Sequence, residues 1–136
     1  MKLKCLDGTE IALDIISSAF VLRVEADCRS KLQFRCGQKL KEIFPRHTIL
    51  EEFIIPRSGG LALDFFIPQI RLAFEVQGAQ HYRYNNFHYK DKRHFARAQA
   101  NDKRKAVWCE INKINLIYFE SEQDVYPRVR DFYKQA

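Results

Sequence analysis

Apolar positions recur along this chain with two different periods, and the changes of period mark its elements. Residues 2–16 alternate apolar and polar, broken by Asp7-Gly8, a dipeptide that suits a hairpin turn. Leu32, Cys36, Leu40 and Ile43 then repeat at helical spacing. Ser30 can cap that helix and Pro45 ends it, which predicts a helix over 30–44. Lys31, Arg35, Lys39 and Glu42 fall away from its apolar stripe, and Gln33 falls beside it. Residues 49–55, 61–67 and 71–77 read as three strands, closed by Pro56, Pro68 and Gly78. Their short connections, one of them the turn at 57–60, predict an antiparallel meander. A helix over about 91–110, a strand over 116–119 and a closing helix over 126–135 follow. The expected fold class is α/β: a mixed sheet of three meander strands, plus a further strand reached by a helical crossover, flanked by helices. A single domain is expected, with a hairpin-like extension at 1–28, a core at 29–120 and a C-terminal helix at 121–136.

Composition adds little to that picture. Hydrophobic residues make up 46% and charged residues 29% of the 136 positions, which is the balance of a globular domain with a real core. No apolar run is long enough to span a bilayer, so no membrane partner is expected. The first residues lack an apolar signal region, and the chain is expected to be intracellular. Cys5, Cys28, Cys36 and Cys109 are not spaced as zinc ligands and read as small apolar groups.

Charge is more informative. The formal net charge is +6. Residues 81–105 hold eight Lys or Arg against two Asp, while the rest of the chain is balanced. A block of this kind suits a polyanion, usually nucleic acid, although a solvated basic helix face would carry the same charges. Arg83, Tyr84, His88, Lys90, Lys92, Arg93, Arg97 and Lys103 are the nucleic-acid-binding candidates, because cations suit phosphates and aromatic rings suit unstacked bases.

Chemistry enters through strand alternation. Along 71–77, Leu72, Phe74 and Val76 share one face, and Ala73, Glu75 and Gln77 the other. Along 61–67, Leu63, Phe65 and Ile67 are expected on one face, and Asp64 on the other with Ala62 and Phe66. Neighbouring strands can thus bring Asp64 and Glu75 into one cleft. Two ionised carboxylates in an apolar setting need a neutralising partner. A divalent cation is one such partner, and a lysine or arginine is the other. On the 91–110 helix, Phe95, Ala98, Ala106 and Cys109 form the expected inward stripe, with Asp102 near its centre and Gln99 and Lys105 on its shoulders. Arg93, Arg97 and Arg104 are expected to point away. His81 follows the metal strand closely enough to act as a general acid or proton shuttle, or to bond to backbone.

The strings LDFFIP (63–68), AFEVQG (73–78) and QHY (80–82) resemble the PD-(D/E)XK, or restriction-endonuclease-like, nuclease superfamily. QANDKRK (99–105), WCE (108–110) and INLI (114–117) are similar to its branch of very-short-patch repair and phage-type homing endonucleases. The resemblance covers about residues 30–120. It implies a Mg²⁺- or Mn²⁺-dependent DNA endonuclease with Asp64 and Glu75 as metal ligands. Gln77, His81, Asp102 and Lys105 are the further catalytic candidates beside them. Gln77 stands where the family has a lysine, and Lys105 is the expected substitute. The family's first-helix acid has no clear counterpart. Gln33, Glu42 and, on the strand over 49–55, Glu52 are the candidates for that place. DNA is the expected partner. A homodimer is expected if both strands of a duplex are cut, and a non-cleaving nucleic-acid-binding module is the alternative.

Overall fold

The computed structural model describes residues 1–14, 20–77 and 92–135. Strands β1 (Lys2–Lys4) and β2 (Glu10–Ala12) form an antiparallel hairpin with Leu3 opposite Ile11. Its turn is the Asp-Gly pair: Gly8 has φ +87°, and the Asp7 carboxylate accepts the Thr9 N–H at 2.8 Å. Helix α1 (Lys31–Ile43) begins where Ser30 adopts an extended backbone and its side chain accepts the Gln33 N–H at 3.0 Å. Strands β3 (Leu50–Ile54), β4 (Ala62–Ile67) and β5 (Leu72–Val76) form the antiparallel meander. Helix α2 (Lys92–Ile111) precedes β6 (Asn115–Phe119), which joins the sheet parallel to β5, and helix α3 (Val125–Gln135) follows. The main sheet therefore has the order β3-β4-β5-β6. This is an α/β fold with a mixed four-stranded sheet flanked by helices.

Two cores lie on the sheet. One joins Phe65, Ile67, Leu72 and Phe74 to Cys36 and Leu40 of α1 and to Val125 and Val129 of α3. The other joins Phe53, Leu63, Phe66 and Ala73 to Trp108 and Cys109 of α2 and to Leu3 of the hairpin. Asn112 fastens the hairpin to the end of α2 as a peptide would: its Oδ1 accepts the Lys4 N–H at 2.7 Å, and its Nδ2 donates to the Lys4 carbonyl at 2.9 Å. Among the described residues no helix is long and apolar enough to cross a membrane.

Two expectations need correction. Leu63 does not share a face with Phe65 and Ile67; it packs with Phe66 in the Trp108 core. The β3–β4 ladder pairs Leu50 with Phe66 and Glu51 with Phe65, then resumes at Phe53 and Leu63, omitting Glu52 and Asp64. Glu52 has φ +52°, a left-handed conformation that breaks the pleat and shifts the alternation of both strands. On α2, the buried residues are Trp108 and Cys109, with Lys105 half-buried beside them. The inward face is thus rotated towards Lys105 and Trp108, Asp102 is only half-buried and Gln99 is exposed. The bulk of Trp108, which contacts Phe53 and Phe66 with ring centroids 6.2 Å away in each case, sets that rotation.

Candidate active site

The broken pleat is also where the two acids meet. After Phe65–Phe74 the regular β4–β5 pairing stops. The two strands are held beyond it by their acids instead. The Asp64 N–H donates to Glu75 Oε2 at 2.7 Å, and the Val76 N–H donates to Asp64 Oδ2 at 2.7 Å. Each carboxylate thus has one oxygen fixed by the opposite strand's backbone. The other oxygen of each meets a cation. Lys105 Nζ donates to Glu75 Oε1 at 2.7 Å, and Arg29 Nη1 lies 3.7 Å from Asp64 Oδ1. Asp64 and Glu75 are both buried.

Burial, then the negative charge of Glu75, raises the Asp64 carboxyl well above the usual carboxylate range, against the Val76 N–H and the Lys105 charge. Burial is the largest influence on Lys105 and lowers its affinity for a proton. Glu75, Asp64 and Asp102 together outweigh it, so Lys105 is held charged with its pKa raised. Two acids and one ammonium therefore share a cleft of about 350 Å³.

That cleft is lined by β4 and β5 through Asp64 and Glu75, by Gln77 just past β5, by α2 through Asp102 and Lys105, and by the start of α1 through Gln33. The sequence-predicted residues Asp64, Glu75, Gln77, Asp102, Lys105 and Gln33 are thus brought to one place. Gln77 is only 8% exposed, and among the described residues its side chain makes no hydrogen bond. Gln33 is buried and its Nε2 spans two acids, donating to Glu51 Oε2 and Glu52 Oε1 at 3.0 Å each. Glu52 stands beside the cleft and is linked to Asp64 through Arg29, whose Nη1 lies 3.6 Å from Glu52 Oε1. Glu42 is exposed on α1 away from this cluster.

Lys92, Arg93, Arg97 and Lys103 are exposed on α2. Arg104, expected to point away, reaches back to the β3–β4 turn, where its Nη2 donates to the Ser58 carbonyl at 2.9 Å. His81, Arg83, Tyr84, His88 and Lys90 lie outside the described residues.

Sequence reasoning missed three participants. Arg29 precedes the helix cap and carries no periodic signal. Asn101 lines the cleft from α2. Glu51 is buried, accepting from the Arg23 N–H at 2.8 Å as well as from Gln33, and so ties the segment before α1 to the sheet. The cysteines are free, and Cys5, Cys36 and Cys109 are buried. Burial pushes the Cys36 and Cys109 thiols up to about 12, which makes them inert as nucleophiles. Among the described residues no group of three or more His, Cys, Asp or Glu side chains could hold a metal ion.

No family model and no solved structure matches the chain. It is similar to uncharacterized protein 033L of Invertebrate iridescent virus 3, with 33% identity over 98 residues, or 70% of this chain and 47% of that protein. It is also similar to uncharacterized protein 307L of Invertebrate iridescent virus 6, with 35% identity over 58 residues, or 43% of this chain and 29% of that protein. The chain therefore spans less than half the length of these curated relatives.

Proposed function

We propose that the chain is a metal-dependent DNA endonuclease with a restriction-endonuclease-like core, and that Asp64 and Glu75 hold its Mg²⁺ or Mn²⁺. The observation that carries this reading is the pair of buried carboxylates, each with one oxygen fixed by backbone and the other turned to a cation within one cleft. A donor set of two carboxylates suits a hard ion that keeps several waters and takes phosphate oxygens as its remaining ligands. When bound, the ion neutralises the acids, polarises the phosphodiester and makes its water more acidic.

The chain's own residues supply the rest. Lys105, charged and 2.7 Å from Glu75, places the positive charge that Gln77 lacks beside the phosphate position. The Gln77 amide can orient the attacking water, since it both donates and accepts. Asp102, one turn before Lys105 on α2, steadies its ammonium by its charge. The basic face of α2 meets the nucleic-acid backbone.

Nicking of supercoiled plasmid with Mg²⁺, Mn²⁺ or chelator tests the proposal. Asp64→Asn and Glu75→Gln should each lower the nicking rate by roughly a hundredfold or more, with duplex binding retained. Wild-type nicking rates in both variants would refute the assignment. One observation favours a second reading, a non-cleaving nucleic-acid-binding module: Arg29 and Lys105 already neutralise the acids. Duplex binding without nicking under any ion selects it.

A further inference from the structure

We propose that the first turn of α1, with Arg29 and the Gln77 amide, forms a phosphate subsite that grips a phosphodiester group next to the one cut at Asp64 and Glu75. The inference rests on the nuclease reading and specifies how that site takes hold of its substrate.

The start of α1 opens into the cleft: Arg29, Ser30, Leu32 and Gln33 all line it. Ser30 Oγ accepts the Gln33 N–H, and the Ser30 carbonyl accepts the Phe34 N–H. The preceding N–H groups, those of Lys31 and Leu32, come too early in the helix to have an intrahelical acceptor. Aligned peptide dipoles of a 13-residue helix favour an anion at this end.

Two further groups point to the same ligand. Gln77 is 8% exposed as a residue and lines the cleft with no side-chain hydrogen bond among the described residues. An amide of a largely buried residue that meets the cleft in that state is suited to a polar ligand group. The Arg29 side chain is 64% exposed, and its ion pairs with Glu52 and Asp64, at 3.6 and 3.7 Å, are longer than hydrogen bonds and both use Nη1. Among the described residues its other donors have no hydrogen-bond acceptor, and its planar fork suits two phosphate oxygens at once. Glu52 and Asp64 oppose a bare anion here. Neutralising Asp64 with a divalent ion removes much of that opposition and loosens the guanidinium's attachment to the acids.

Fluorescence anisotropy of a labelled DNA duplex, in Ca²⁺ and over a salt series, tests the subsite alongside plasmid nicking. The variants are Arg29→Ala, Arg29→Lys, Gln77→Leu and Asp64→Asn. Arg29→Ala should weaken duplex binding about tenfold and make the slope of log affinity against log salt shallower by about 0.9. Arg29→Lys should recover the slope but only part of the affinity, since lysine keeps the charge without the fork. Gln77→Leu should weaken binding without changing the slope. The Mn²⁺-induced rise in melting temperature should stay or grow in Arg29→Ala, because a positive charge has left the side of Asp64. Unchanged affinity and slope in Arg29→Ala would overturn the subsite, while loss of nicking in Asp64→Asn would leave the nuclease reading standing. Absence of nicking in the wild type, with duplex binding that depends on Arg29, would overturn the nuclease reading and keep the subsite as a backbone contact. A wild type that binds no duplex would overturn both.

Discussion

Asp64 and Glu75 are chemically alike but differ in their partners. Glu75 has an ammonium at 2.7 Å, while Asp64 has only a guanidinium at 3.7 Å that is largely in water. Burial, and then the neighbouring Glu75 carboxylate, therefore hold the Asp64 carboxyl well above the usual carboxylate range. A carboxyl raised in the folded state binds protons that the unfolded chain has already released. Its contribution to stability is present below the unfolded value of 3.8 and is lost as pH rises through the folded value. In metal-free protein, Asp64→Asn should thus raise the melting temperature at pH 8 and lose that advantage at pH 4, read by thermal denaturation across pH. An advantage that does not vary with pH would mean that Asp64 carries no raised pKa. The pairing of these acids was legible in the sequence because the short β4–β5 connection makes the two strands neighbours and brings Asp64 and Glu75 alongside each other. The reciprocal backbone bonds were not, since they depend on where the pleat breaks.

At the scale of elements, helix ends and strands follow from local signals. Ser30, the Asp-Gly turn and the prolines mark boundaries that the backbone respects within a residue or two. Local signals could not show the phase shift at Glu52 or the rotation of α2 about Trp108. Both are settled by packing between distant parts of the chain. The seating of α1 is another such case. Gly37 lies on its buried face, and a Cβ there would stand 3.0 and 3.1 Å from the Phe65 ring. Phe65 is fully buried, so its ring has little room to yield. Replacing glycine by alanine in a helix gains about 1 kcal/mol of propensity, while overpacking a core costs about 1–3 kcal/mol. Packing prevails, and Gly37→Ala should destabilise the protein by about 1 kcal/mol in urea denaturation. The cleft should suffer too, because α1 carries Gln33 into it.

For the molecule as a whole, the site and the charge act over different distances. The cleft sets the acids Asp64, Glu75 and Asp102 against the cations Arg29 and Lys105, so it offers no long-range attraction to a polyanion. The excess charge of +6 lies in residues 81–105, and in the described part of that segment Lys92, Arg93, Arg97, Lys103 and Arg104 are exposed on α2. Under the proposed function, α2 governs the approach of nucleic acid and the cleft governs cutting. The two should separate experimentally. If about six cations neutralise phosphates, duplex affinity should fall about a thousandfold between ~50 and ~200 mM salt. Replacing Lys92, Arg93 and Arg97 together by glutamine should flatten the salt slope by about 0.9 per cation removed. The nicking rate at saturating DNA should not change, because none of the three lines the cleft. A nicking rate at saturation that fell with the slope would place the basic face within the chemistry itself, and a slope that did not move would remove α2 from the binding surface.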